Sequence, residues 1–170
     1  MNLQNKEEFF SSLNSIILAL KPIPFNCLAA SVFGFVVLSD RFPNNGFKIK
    51  TGNLLYKGNC VFTQNYSINS FLGKSSDTIR NDWEGHAWIE LEERIIIDLS
   101  LFDTVRSSRF ILPIKDELIK NYARGRGVFM FDRLNPDPYF EYQIIDILSD
   151  ELIDAVNNGI LAQKSNLLND

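Results

Sequence analysis

Hydrophobic residues recur at helical spacing near the start of the chain. Within residues 5–20 the apolar stripe consists of Phe9, Leu13, Ile16, Ile17 and Leu20. Polar side chains fill most of the other positions, so the pattern predicts an amphipathic helix. Pro22 and Pro24 follow this stripe and predict the end of the helix.

In the next segment the apolar residues are not confined to one stripe. Residues 27–39 are small or apolar on nearly every side, and Asn26 before them is a favourable N-cap. The pattern therefore predicts a second helix that begins at Cys27. Because this helix has no polar face, we expect it to run through the middle of the domain.

Strand-like patterns dominate the rest of the chain. They cover residues 46–56, 60–68, 85–92, 94–102, 128–134 and 139–148. Further helices are predicted over about residues 113–124 and 149–168, the last with Ser149 as its N-cap and acidic residues in its first turn. The order predicts a single α+β domain over residues 1–170, with a central N-terminal helix packed on an antiparallel sheet.

Composition narrows the class of protein. The chain is 45% hydrophobic, carries a net charge of −4 and has no basic block, so we expect no nucleic-acid partner. Acidic Glu7 and Glu8 do not fit a signal peptide, and no apolar run reaches spanning length, so a cytoplasmic protein without membrane contact is expected. In that setting a disulfide between Cys27 and Cys60 is the weaker interpretation. The sequence leaves the oligomeric state open.

Cys27 is the first candidate for chemistry. A cysteine in the first turn of a helix meets unsatisfied backbone N–H groups and the positive end of the dipole, which favour thiolate over thiol. The alternative is that Cys27 is a small buried hydrophobic residue at the start of an apolar helix. Its position alone does not decide between the two.

His86 is the only histidine in the chain. A hairpin joined at residues 91–93 would pair Glu90 with Arg94, Trp88 with Ile96 and His86 with Asp98. A two-residue loop at residues 92–93 is the rival register, and it makes Asp98 a diagonal neighbour on the same face. In either case Asp98 can orient the imidazole, although a strand histidine beside a surface carboxylate is the structural alternative.

Three short motifs carry a resemblance to a known family. They are Asn26-Cys27-Leu28-Ala29-Ala30, Gly85-His86-Ala87-Trp88-Ile89-Glu90 and Ile95-Ile96-Ile97-Asp98-Leu99-Ser100. Over about residues 20–102 the chain resembles the transglutaminase-like branch of the papain-like cysteine proteases, which includes the leader peptidases of lasso-peptide maturation. The resemblance implies a papain-like fold, with Cys27 as nucleophile, His86 as general base and acid, and Asp98 as the residue that orients the ring.

The resemblance also implies an activity. It is thiol-dependent acyl transfer or hydrolysis at peptide or side-chain amide bonds of a peptide or protein substrate, without a cofactor. Trp88 and Trp83 flank the histidine and are candidates for substrate binding, although a strand tryptophan is more often part of the core. The backbone N–H of Cys27 can serve as one oxyanion donor, but the second is unassigned, with Gln64 as a weak candidate.

Other functions fit the sequence less well. One histidine with scattered carboxylates is a poor zinc site, and no glycine-rich phosphate loop opens a helix, so we expect neither a metal nor a nucleotide. Two alternatives stay open. One is a catalytically inactive module that binds a peptide or protein on the same fold, and the other is an acyltransferase similar to the arylamine N-acetyltransferases.

Overall fold

The computed structural model describes residues 3–20, 27–74, 83–102, 116–117, 120–121 and 127–167. The helices are α1 (Leu3–Leu20), α2 (Cys27–Arg41) and α3 (Asp150–Leu167), with a short 3-10 helix at Ile68–Phe71. The strands are β1 (Phe47–Tyr56), β2 (Asn59–Phe62), β3 (His86–Leu91), β4 (Ile95–Asp98), β5 (Phe129–Asp132) and β6 (Phe140–Ile147). The predicted α+β class is confirmed. Among the described helices, none has the length and apolar character needed to cross a membrane.

The described strands form one antiparallel sheet of six strands. Its order is β2-β1-β3-β4-β5, and β6 pairs with β1 as well. The segment Lys50–Gly52 of β1 pairs with β3 and β6 at once, so these two strands lie on opposite edges of β1. The sheet is curled, since the ring of Phe129 on β5 lies 4.7 Å from that of Phe140 on β6.

The two faces of the sheet bury different sets of side chains. The outer face carries Ile89, Leu91 and Ile97, which pack with α1 and α2. The inner face of the curl is lined by a second cluster, which includes Leu54, Tyr56, Trp88, Ile96, Phe129, Phe140 and Tyr142. Alternation along each strand separates the two sets, because successive side chains point to opposite faces.

Helix α2 lies against the outer face and contacts α1 and α3 as well. Seven of its residues, from Cys27 to Leu38, are buried, and its aromatic residues Phe33 and Phe35 are partly buried. The expectation of a central helix is therefore confirmed. The N-cap predicted at Asn26 lies outside the described residues.

Several predicted boundaries differ from the observed ones. The strand predicted over residues 60–68 ends at Phe62, because the N–H groups of Gln64 and Ile68 find side-chain acceptors in Asn53 and Asp146 instead of a ladder partner. The strand predicted over residues 94–102 ends at Asp98, whose carboxylate accepts from the next N–H groups and turns the chain.

The two predicted C-terminal helices are described by the structure to different extents. Ser149 caps α3 as predicted, since its hydroxyl oxygen accepts the N–H of Leu152 at 3.3 Å, and Asp150 and Glu151 occupy the first turn. Of the helix predicted over residues 113–124, only residues 116–117 and 120–121 are described, and these are helical.

The hairpin of β3 and β4 has neither of the predicted registers. Leu91 pairs with Ile95 and Ile89 with Ile97, so residues 92–94 form the turn. Glu92 and Glu93 hold φ angles of 53° and 55°, a left-handed conformation that the sequence does not signal, because glycine or asparagine is the usual residue there. Relative to the favoured prediction the register moves by two residues, which preserves the face on which each side chain lies.

The ion pair predicted between Glu90 and Arg94 is also wrong. Glu90 is buried on the inner face and accepts from Arg133 at 2.6 Å, whereas Arg94 forms a bidentate pair with Asp132. The reason is the strand order. Because β5 pairs with β4, its end places Asp132 beside Arg94 and Arg133 beside Glu90.

Gly52 sets the distance between β1 and β6. A Cβ atom at this position would lie 1.9 Å from the carbonyl oxygen of Gln143 and 2.9 Å from the backbone nitrogen of Ile145. Backbone atoms cannot rotate away, so any side chain at residue 52 would force β6 outward. The pairing shifts next to this glycine, between Thr51 and Gly52.

We expect Gly52→Ala to lower the free energy of unfolding by about 2 kcal/mol or more, because overpacking here displaces a strand. Chemical denaturation measures the change. Gly46→Ala is the matched control, since a Cβ atom at Gly46 has nothing within 4 Å. Equal stabilities of the two variants would contradict the close approach of β6.

Candidate active site

Two of the predicted catalytic residues meet inside the protein. Nε2 of His86, at the start of β3, lies 2.5 Å from Oδ2 of Asp98, at the end of β4. Both side chains are 0% exposed. The contact forms although the register differs from the prediction, because both residues remain on the inner face of the sheet.

Asp98 is held by groups on both of its oxygens. Oδ1 accepts the backbone N–H of Ser100 at 3.0 Å, the N–H of Leu101 at 2.9 Å and the hydroxyl of Ser100 at 3.2 Å. Oδ2 accepts the hydroxyl of Tyr142 at 2.8 Å as well as the contact with His86. Two of these donors are backbone N–H groups two and three residues further along the chain, so the same carboxylate ends β4 and fixes its own orientation.

The charges of the pair are coupled. Burial alone would raise the pKa of Asp98, but the charge and hydrogen bond of His86, together with the donors Tyr142 and Ser100, lower it below the ordinary 3.8. Burial alone would lower the pKa of His86, but Asp98 and the thiol of Cys27 raise it from 6.5 to about 10. At neutral pH the pair is therefore a carboxylate and an imidazolium.

Aromatic rings enclose the imidazole. The ring of Phe62 is stacked on it, with centroids 4.7 Å apart and an angle of 14° between the planes. Trp88 and Tyr142 lie at 6.3 Å and 6.1 Å on the same inner face. These rings fix the plane of His86 and exclude water from its contact with Asp98.

Cys27 reaches the strand from the side of the helices. It is the first residue of α2, it is 7% exposed, and its thiol donates to the carbonyl oxygen of Gly85 at 3.7 Å. Gly85 directly precedes His86, so the sulfur lies against the beginning of β3, where the pair with Asp98 starts. The helix start and the strand start thus bring the third predicted residue to the same end of the sheet.

Nδ1 of His86 is the ring nitrogen that does not contact Asp98. It is buried and has no hydrogen-bond partner among the described residues. Nevertheless, Cys27 is among the groups that raise the pKa of this histidine. The sulfur of Cys27 therefore lies close enough to the ring to affect its pKa, while its thiol donates its hydrogen bond to Gly85.

The two candidate substrate-binding tryptophans lie in different places. Trp88 is 0% exposed and packs edge-on against Tyr142, at 5.0 Å between centroids, so it forms a wall behind the His86–Asp98 pair. Trp83 is 9% exposed and belongs to the hydrophobic cluster that contains Cys27. A substrate-binding role for either residue stays a prediction.

Gly85 lets Trp83 approach the site closely. A Cβ atom on Gly85 would lie 2.7 to 2.9 Å from three indole atoms of Trp83, Nε1 among them. That Nε1 is buried and has no partner among the described residues. An unused N–H donor therefore lies next to the residue whose carbonyl accepts the thiol of Cys27.

Gln64, the weak candidate for the second oxyanion donor, is engaged elsewhere. Its side-chain nitrogen donates to Oδ2 of Asp146 at 2.6 Å, and its backbone N–H donates to Asn53. It lies after β2 and not within a strand, contrary to the prediction. The side chain stabilises the loop that follows Phe62.

Sequence reasoning missed Tyr142 and Phe62. Alternation along β6 places Phe140 and Tyr142 on one face, which predicts burial, but no pattern in one sequence tells which carboxylate the hydroxyl meets. Phe62 ends β2, and its contact with His86 depends on how β2 and β3 share one edge of β1.

Comparisons of the chain with protein families, with characterised proteins and with solved structures give no match. Within the described ranges, no group of three or more His, Cys, Asp or Glu side chains is arranged to hold a metal ion.

We expect the stability of the protein to fall as pH rises from 6.5 towards 10. The folded state holds a proton on His86 that the unfolded state loses near its ordinary pKa, so the slope reaches about 1.4 kcal/mol per pH unit. Denaturation at several pH values measures it, with His86→Gln as the variant that lacks this proton. An equally steep fall in the variant would contradict the assignment.

Proposed function

We propose that the protein is a papain-like, transglutaminase-like cysteine hydrolase or acyltransferase that acts on peptide or side-chain amide bonds. One observation carries the proposal. A fully buried contact of 2.5 Å joins His86 to Asp98, and the thiol of Cys27 lies against the residue directly before that histidine. An acid, an imidazole and a helix-start thiol are the parts that nucleophilic catalysis requires.

In the proposed reaction the thiol of Cys27 first releases its proton to the medium, which leaves a thiolate beside the protonated ring of His86. The sulfur attacks the substrate carbonyl carbon, a C–S bond forms, and the carbonyl oxygen takes the negative charge. When this intermediate collapses, the C–N bond breaks and Nδ1 of His86 gives its proton to the leaving amine. Water or a second amine then attacks the thioester, loses a proton to Nδ1 and releases the thiolate.

Asp98 has a supporting role in this scheme. Its Oδ2 binds Nε2 of His86, so the nitrogen that faces the thiol is always Nδ1. Because its pKa is lowered, the carboxylate stays charged and stabilises the imidazolium throughout the cycle. The ring therefore needs no reorientation between the two halves of the reaction.

Two N–H donors are proposed for the oxyanion. The first is the backbone N–H of Cys27, in the first turn of α2. The second is Nε1 of Trp83, which is buried, unpaired among the described residues and packed against Gly85. This assignment gives Trp83 a role in catalysis as well as in substrate contact.

Removal of each triad residue should affect catalysis differently. With an activated ester such as p-nitrophenyl acetate, Cys27→Ala should abolish the burst of acyl-enzyme, His86→Ala should nearly abolish it, and Asp98→Ala should leave weak activity. Stopped-flow absorbance measures the burst. Cys60→Ser is the matched control, because Cys60 is the other free cysteine and is exposed.

A full burst in Cys27→Ala would eliminate the mechanism. Analysis of the products then distinguishes transfer from hydrolysis. Transfer consumes an added amine and forms an amide, whereas hydrolysis releases the free acid.

Trp83→Phe tests the second oxyanion donor. The phenylalanine keeps an aromatic ring on Gly85 but has no N–H, so acylation should slow by about 10²- to 10³-fold. Alkylation of Cys27 by iodoacetamide should stay near the wild-type rate, because that reaction forms no oxyanion. A variant that acylates at the wild-type rate would remove Trp83 from the proposed mechanism.

A catalytically inactive module that binds a peptide is the second candidate. The burial of the site favours it, since Cys27 is 7% exposed and His86 and Asp98 are not exposed at all. The burst experiment separates the two functions. A binding module gives no acyl-enzyme in the wild type, whereas the proposed enzyme does.

A further inference from the structure

Tyr142 contacts the same carboxylate oxygen as the histidine. Its hydroxyl donates to Oδ2 of Asp98 at 2.8 Å, and Nε2 of His86 lies 2.5 Å from that oxygen. Two donors on one oxygen share its negative charge, so each is bound less strongly than it would be alone. The strength of the His86–Asp98 contact therefore depends on a residue from β6.

The orientation of Asp98 does not depend on Tyr142. Oδ1 is fixed by two backbone N–H groups, those of Ser100 and Leu101, and these belong to the turn that follows Asp98. Loss of the Tyr142 hydroxyl would leave the carboxylate in place. It would change only the charge that Oδ2 offers to the imidazole.

Tyr142 is firmly held as a donor. It pairs with Leu54 across β1 and β6, is buried, and packs against Trp88. Burial and the charge of Asp98 raise the pKa of its hydroxyl well above 10, so it keeps its proton wherever the protein is folded and active.

We propose that Tyr142 is a positioning residue that acts through Asp98 to limit how tightly His86 holds its protons. The inference rests on the acid–base role proposed for His86. A histidine that must give a proton to the leaving amine works best when its proton affinity is not too far above that of the medium. Without Tyr142, Asp98 would bind the imidazolium more strongly and slow this transfer.

Within the part of the chain that the structure describes, few other charged groups act on this pair. Cys27 from α2 and Asp98 from β4 act on His86, and Asp137 acts weakly on Tyr142. Glu90 of β3 lies further along the same face and is neutralised by Arg133. Among the described residues of neighbouring strands, that face also carries Lys48 and Lys50 of β1, opposite Glu90 and Trp88, and Tyr56, while Cys60 on β2 is exposed.

The test uses the single histidine of the chain, whose Cε1–H resonance in proton NMR can be assigned without ambiguity. The pKa of His86 is titrated between pH 6 and 11 in the wild type, in Tyr142→Phe and in Tyr56→Phe. We expect Tyr142→Phe to raise it by about half a unit or more.

Tyr56→Phe is the matched control and should leave the titration unchanged. It removes a buried hydroxyl from the same inner cluster, but one that is not among the donors to Asp98. A pKa of His86 that is unchanged or lower in folded Tyr142→Phe would overturn the inference.

A second variant covers the case in which Tyr142→Phe does not fold. Incorporation of 3-fluorotyrosine at residue 142 keeps the ring and makes the hydroxyl a stronger donor, so the pKa of His86 should fall. A rise or no change would overturn the inference.

The burst assay keeps this test apart from that of the proposed function. If the wild type gives no burst but the NMR shifts appear, the enzyme proposal fails and the influence of Tyr142 on His86 stands. If the wild type gives a burst and the histidine titrations coincide, the enzyme proposal stands and the role of Tyr142 fails.

Discussion

The buried contact between His86 and Asp98 is the interaction on which the rest of the structure depends. A carboxylate that is 0% exposed is stable only when donors replace the water it has lost. Those donors come from three places, namely the turn after β4, His86 on β3 and Tyr142 on β6. The strand order is what brings them together, because β1 lies between β3 and β6 and the sheet curls until the side chains of β5 and β6 touch. A flat sheet would leave Tyr142 out of reach, and Oδ2 of Asp98 would lose one of its two donors. The curl of the sheet therefore supplies one of the donors that stabilise the buried charge.

Much of this arrangement could be predicted from the sequence, because side chains at every second position of a strand lie on the same face of the sheet. His86 and Asp98 are both even-numbered, so any register that differs by two residues keeps them on one face, and their contact survives the error in the predicted pairing. The register itself could not be predicted. It depends on Glu92 and Glu93 in a left-handed conformation, which glutamate rarely adopts and which gives no compositional signal. Likewise, the amphipathic pattern predicted α1, and the lack of a polar face predicted the central position of α2. Both patterns can be recognised within one helix, because the positions of its apolar residues show which sides are buried.

Other parts of the site depend on contacts between distant strands, and one sequence does not encode these as a local pattern. Tyr142 reaches Asp98 across 44 residues of chain, and Gln64 reaches Asp146 across 82. The predicted Glu90–Arg94 pair failed for the same reason, because both charges have better partners on β5. Even the ends of β2 and β4 depend on which side chains accept the next N–H groups. The propensity of a segment to form a strand was correctly predicted, whereas the point at which the strand ends depends on tertiary contacts.

The burial of the site affects the chemistry that we propose for it. Cys27 is nearly covered, Nδ1 of His86 and Nε1 of Trp83 are buried without partners among the described residues, and the thiol proton points to a backbone carbonyl. Buried donors without acceptors are costly, and each would be satisfied by a substrate carbonyl or by the sulfur once its proton has left. A bound acyl group would thus relieve a cost that the free protein bears, and it would relieve most of it when the oxygen is negatively charged. In the proposed enzyme, such a site would favour the transition state over the resting state.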